Sequence, residues 1–192
     1  MSEKPPQPHR KNIRLTGYDY AAEGGYFVTI VTHDREPLFG YVVDGEMVLN
    51  EFGKIVAEEW ERSGAIRAEI ELDNFVVMPN HFHAIVNIFQ TGNGDHSNCT
   101  GDRPVAPTMK TTPTANGPRP RSLGSLIAGF KSSVTTRINI LRATPGTPVW
   151  QRNYYDHVIR SDREYEETAA YIANNPANWL TDAERTADHD PA

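Results

Sequence analysis

Residues 70–78 and 82–89 form two apolar runs separated only by Pro79-Asn80-His81, and this pairing constrains the fold more than any other feature of the chain. Each run has the length of a strand, and a connection this short makes them an antiparallel hairpin. Upstream, Tyr26-Phe27-Val28-Thr29-Ile30-Val31-Thr32 is rich in β-branched and aromatic residues and follows the turn signal Gly24-Gly25, which predicts a core strand. Asn50 suits the N-cap of a helix running to about Ser63, with Phe52, Ile55, Val56 and Trp60 at helical spacing and Gly64 ending it. Short runs around 38–48 predict a small accessory hairpin. Ser122 suits the N-cap of a helix of roughly five turns that carries Leu123, Leu126, Ile127, Phe130, Val134, Ile138 and Leu141 on one face. Pro145-Gly146 closes that region. Residues 149–159 read as extended, and a last helix over about 163–174 stops before Pro176, because a residue preceding proline is disfavoured in the helical region.

The order strand, helix, hairpin, helix, strand predicts an α+β fold of the ferredoxin-like, RRM-like kind. In it helices cover one face of an antiparallel sheet and the other face is free for a ligand. With 192 residues there is room for one good core, assigned to 12–180. Residues 1–11 are expected to be a flexible tail, 90–121, rich in Gly, Asn, Thr and Pro, a flexible insertion, and 181–192 a frayed C-terminal tail. The single cysteine, Cys99, cannot form an internal disulfide, and no signal-peptide stretch or run of about 18 apolar residues is present. A cytoplasmic, nucleoid-associated protein without membrane partners is the expectation.

The formal charge of −6 argues against a nucleic-acid partner until its distribution is considered. From Arg119 to Arg160 seven cationic side chains, among them Arg121, Lys131, Arg137, Arg142 and Arg152, face the single carboxylate of Asp156. A basic stretch on an acidic chain is a candidate phosphate-binding surface and equally an ordinary solvated one.

Two spacings carry chemistry. His81-Phe82-His83 begins a strand, where side chains at i and i+2 share a face, so both imidazoles converge while Phe82 enters the opposite layer. That is a platform for a metal; neutral histidines bonded to backbone carbonyls would serve structurally as well. Tyr171 and Asn175 stand four apart on the last helix, hence on one face a turn from each other. Taken alone, Tyr171 also reads as a half-buried helix aromatic and Asn175 as a turn former before Pro176.

The segments Met78-Pro79-Asn80-His81-Phe82-His83-Ala84-Ile85-Val86, Val149-Trp150-Gln151-Arg152-Asn153-Tyr154-Tyr155-Asp156-His157-Val158-Ile159-Arg160 and Tyr171-Ile172-Ala173-Asn174-Asn175-Pro176, in this order, resemble the REP-associated tyrosine transposases. These are HUH nucleases, in which two histidines flank a hydrophobic residue, and they resemble the smallest single-tyrosine insertion-sequence transposases. The resemblance spans most of 12–180. It implies that His81, His83 and Asn175 hold a divalent ion, Mg or Mn, and that Tyr171 is the nucleophile, forming a 5′-phosphotyrosine and a free 3′-hydroxyl. It implies a substrate of single-stranded or hairpin DNA, handled by a monomer or homodimer. Arg119, Arg121, Lys131, Arg137, Arg152 and Tyr154 are the DNA contacts expected from the basic stretch, with Tyr155 also available for stacking. Alternatives are a relaxase-like relative, a nonenzymatic RRM-like nucleic-acid-binding module and an inactive domesticated transposase.

Overall fold

The structure, a computed structural model, describes residues 19–89 and 118–179; the two tails and nearly all of the 90–121 insertion lie outside the described residues. Its elements are β1 (Gly24–Val31), β2 (Gly40–Val43), β3 (Glu46–Leu49), α1 (Glu51–Ile66), β4 (Ile70–Val77), β5 (His81–Ile88), α2 (Leu123–Leu141), β6 (Tyr155–Ile159) and α3 (Asp162–Asn174). The main sheet is antiparallel in the order β4-β5-β1-β6, the ferredoxin-like arrangement, and β2-β3 is the separate small hairpin.

Side-chain alternation builds two faces. Tyr26, Val28 and Ile30 of β1 and Phe82, Ala84, Val86 and Ile88 of β5 point into the core beneath α1 and α2. There Trp60, Phe82 and Phe130 pack with ring centroids 5.0 to 5.2 Å apart. The side chain of Asn50 accepts from the Gly53 amide at 2.9 Å and starts α1. Ser122 and Ser125 form a reciprocal capping box that starts α2. Gly64 does not end α1, which continues to Ile66; a Cβ there would lie 2.8 Å from Cδ1 of Leu72, so this glycine serves close approach to β4.

The third helix corrects the expectation that helices cover one face only. Because α3 follows the last strand, it folds back across the opposite face and rests chiefly on β4 and β5. β5 is therefore buried on both sides along nearly its whole length. On the part of this face over β1 and β6, Phe27 is half-buried and Tyr155 is exposed among the described residues. Among the described residues no helix is long and apolar enough to cross a membrane.

Candidate functional site

The face under α3 collects the side chains singled out by spacing. Register places His81 opposite Val31 and His83 opposite Thr29, all pointing toward α3. The His81 and His83 ring centroids are 4.5 Å apart. Their exposures are 0% and 2%, and that of Asn175 is 2%.

Each imidazole is held by Nδ1. In His81, Nδ1 lies 2.9 Å from Oδ1 of Asn80, whose amide nitrogen donates to the Arg35 carbonyl and so fixes the amide's orientation. An amide oxygen only accepts, so Nδ1 carries a proton, and in the neutral ring Nε2 then carries the lone pair. In His83, Nδ1 meets the Thr29 hydroxyl at 2.8 Å and Nε2 meets the Tyr171 hydroxyl at 3.3 Å; a hydroxyl both donates and accepts, and in the tautomer with the proton on Nδ1 the Nε2 lone pair accepts from Tyr171. Burial, reinforced by the neighbouring His81, pushes the pKa of His83 well below 6.5, so this ring is neutral at pH 7.

Nε2 of His81 and Oδ1 of Asn175 stand 3.4 Å apart. Two ligands on one ion at about 2.1 Å, subtending roughly 90–110°, are ~3.0–3.5 Å apart, so the pair has the spacing of adjacent donors on a small divalent cation. Among the described residues no cluster of three His, Cys, Asp or Glu exists. The donor set here is two imidazoles and one amide oxygen. Were an ion held by these three, coordination positions would remain for oxygens of a substrate.

Asn175 reaches this position by a departure from expectation. Although it precedes proline, its backbone stays right-handed helical, with φ −58° and ψ −43°. That preserves the i, i+4 relation with Tyr171 and keeps both side chains over the histidines. Tyr171 is 46% exposed, so its ring can be approached from solvent while its hydroxyl touches His83. Tyr165, six residues earlier, donates instead to Asp73 in β4; that bond and burial push its pKa up to about 12.

Three neighbours escaped the sequence reading. Thr29 and Asn80 orient the two imidazoles, and Phe27 stacks on His83 with centroids 5.4 Å apart while meeting Tyr171 edge-on at 6.1 Å. Asn80 adjoins the histidines in sequence and could have been found as their hydrogen-bonding partner. Thr29 and Phe27 depend on the register of β1 against β5, which sequence alone leaves open.

The six expected DNA contacts are not gathered at the histidines. Arg119 pairs with Asp19 at 2.9 Å, and with Arg121 it belongs to the turn entering α2. Arg137 bridges Glu58 and Glu59 of α1, on the far side of the sheet. Lys131 donates to backbone carbonyls of Gln151, Arg152 and Asn153. Arg152 is exposed. Tyr154 packs against the core, and Tyr155 occupies the histidine face, 42% exposed and edge-on to Phe27.

No family model matches the chain. Its sequence is 35% identical over 174 residues to an uncharacterized protein of Haemophilus influenzae (strain ATCC 51907 / DSM 11121 / KW20 / Rd), an alignment covering 91% of this chain and 92% of that protein. Among solved structures it resembles the REP-associated tyrosine transposase bound to a REP hairpin, with a TM-score of 0.52 and 17% identity over 86% of this chain and 74% of that one. The chain thus belongs to one family with the Haemophilus influenzae protein and has the fold of the REP-associated tyrosine transposase.

Proposed function

We propose that the chain is a metal-dependent, single-tyrosine DNA endonuclease and strand transferase of the transposase kind, acting on single-stranded DNA beside a hairpin. The observation that carries this reading is the convergence of the hydroxyl of a half-exposed tyrosine, two imidazole Nε2 atoms and an amide oxygen under one helix. The likeness in fold to a transposase bound to a REP hairpin supports it. His81, His83 and Asn175 would hold the divalent ion, Mg or Mn, which when bound supplies Lewis acidity at the scissile phosphate.

The residues of the chain do the rest. Phe27 and His83 hold the Tyr171 ring, and the Tyr171 Oη attacks phosphorus in line with the 3′-oxygen. The Oη–P bond forms and the P–O3′ bond breaks; the phenolic proton passes to solvent water, and the departing 3′-oxygen takes up a proton from water. A 5′-phosphotyrosine and a free 3′-hydroxyl result. A phenol, with a pKa of about 10, is also a good leaving group, so the step reverses readily when a new 3′-hydroxyl attacks, as strand transfer requires. Tyr165, tied to Asp73 and harder to ionise, is a poor competitor.

A second reading, a binding module of RRM type, draws on Phe27 and Tyr155, which place aromatic rings on the open half of the sheet. Tyr171→Phe separates the two. Incubated with Mn and a hairpin oligonucleotide carrying a 5′ single-stranded extension, the parent should cleave, and the variant should bind as tightly but leave the DNA intact. Cleavage at the parental rate by Tyr171→Phe excludes Tyr171 as the nucleophile, and binding without cleavage by the parent favours the binding module.

A further inference from the structure

Between Trp150 and Tyr155 the chain leaves the plane of the sheet. Trp150 bridges Thr32, the Gln151 amide donates to the Val31 carbonyl at 2.9 Å, and pairing resumes with Tyr155 opposite Thr29. β1 crosses this gap with Ile30 and Val31, whereas the facing chain uses residues 151–154, so it has to bulge outward. The carbonyls of Gln151, Arg152 and Asn153 turn to one atom, Nζ of Lys131, at 2.5, 3.4 and 3.3 Å. Consecutive carbonyls of a strand point to alternate sides; three aimed at a single ammonium mark a curl, and they engage all three of its N–H groups.

The curl sends Tyr154 to the core and Tyr155 to the histidine face. It also leaves Arg152 exposed on the rim of a cleft of about 330 Å³ whose facing wall is the polar side of α2, with Ser132, Thr135 and Thr136. Among the described residues no carboxylate lines this cleft, in a chain whose formal charge is −6. The rim lies close to the metal-ligand face: Gln151 adjoins Val31, and Val31 is opposite His81, two strand spacings or roughly 10 Å away. Hydroxyls and a guanidinium without an acidic neighbour are the chemistry that meets phosphate oxygens.

We propose that this cleft binds the sugar–phosphate backbone of the DNA substrate, with Arg152 as the phosphate contact and Lys131 as the positioning residue that holds its loop. The inference rests on the DNA-cleaving reading above and gives that site a second point of attachment. Lys131 acts through the loop, since its own donors are directed at carbonyls.

The test is a double-mutant cycle in the full chain carrying Tyr171→Phe, with binding of a fluorescent hairpin oligonucleotide measured at several salt concentrations. Arg152→Ala should weaken binding about fivefold to tenfold and reduce the salt slope by about one. Lys131→Met should weaken it at least as much, and adding Arg152→Ala to Lys131→Met should change it less than twofold. Lys131→Gln, which keeps two donors for the carbonyls, should recover part of the loss. Should Lys131→Met fail to fold by circular dichroism, the cycle is closed with Lys131→Gln, and the same non-additivity is expected. With Tyr171 restored, the loss should fall on KM rather than kcat. A silent Arg152→Ala, additive losses, or no DNA binding by the parent would overturn the proposal. Non-additive binding losses in a protein that never cleaves would sustain the cleft while removing the nuclease reading.

Discussion

Tyr171 and a divalent ion would draw on the same lone pair, that of Nε2 of His83. Removing the hydroxyl therefore frees a ligand. Tyr171→Phe should bind Mn about two- to tenfold more tightly than the parent in a calorimetric titration without DNA, the net worth of one hydrogen bond; weaker binding would contradict the shared-atom geometry. His81→Ala and His83→Ala should each abolish metal-dependent cleavage while the circular dichroism spectrum stays native, and parental cleavage by the double variant would refute the ligand assignment. His83 also sets a pH dependence. Its folded pKa lies below the unfolded value of about 6.5, so between the two the unfolded chain takes up a proton that the native chain does not. Stability from this residue is present above pH 6.5 and declines on acidification, at most about 1.4 kcal/mol per pH unit. Urea melts from pH 7.5 to 5.5 should show the slope, and His83→Gln should flatten it; an unchanged slope places the titration elsewhere. At this scale the sequence reveals what is local. The i, i+2 histidines and the i, i+4 Tyr171 and Asn175 share faces whatever surrounds them. Tyr154 and Tyr155 could not be told apart, because the bulge that sets their parity depends on Lys131, a residue of another element.

Helix ends and close approaches set the geometry one level up. A Cβ on Gly53 would lie 2.3 Å from the Phe39 carbonyl oxygen, a backbone atom with little room to yield. Gly53→Ala should accordingly cost about 1–3 kcal/mol by chemical denaturation, and a variant as stable as the parent would show that α1 can shift away from the β2–β3 hairpin. Ser122 was readable as a cap because capping chemistry is confined to a few neighbouring residues. Gly64 was misread because the same residue type serves helix ends and tight packing alike, and only the proximity of Leu72 distinguishes them. Asn175 keeps a helical backbone before Pro176, where the local rule favours an extended one; the turn that follows, with Asn178 bonded back to the Asn174 and Asn175 carbonyls at 3.1 Å, overrides that preference.

For the molecule as a whole, the order of elements was enough to recover the sheet, since split βαβ connections leave few ways to pair four strands. The side taken by α3 was not recoverable, because a helix after the last strand can pack on either face; contacts of Tyr171 with Phe27 and His83 settle it. The charge sum does not give the distribution of charge for a related reason: Arg137 answers Glu58 and Glu59 within the helical layer, and the cleft that carries Lys131 and Arg152 occupies one edge of the sheet. The proposed nuclease activity stands on the nucleophile. Incubating the full chain with Mn and a 5′-extended hairpin oligonucleotide, followed by peptide mapping with mass spectrometry, should recover a covalent protein–DNA adduct on Tyr171 alone. An adduct on Tyr154, Tyr155 or Tyr165, or undiminished adduct from Tyr171→Phe, would contradict it.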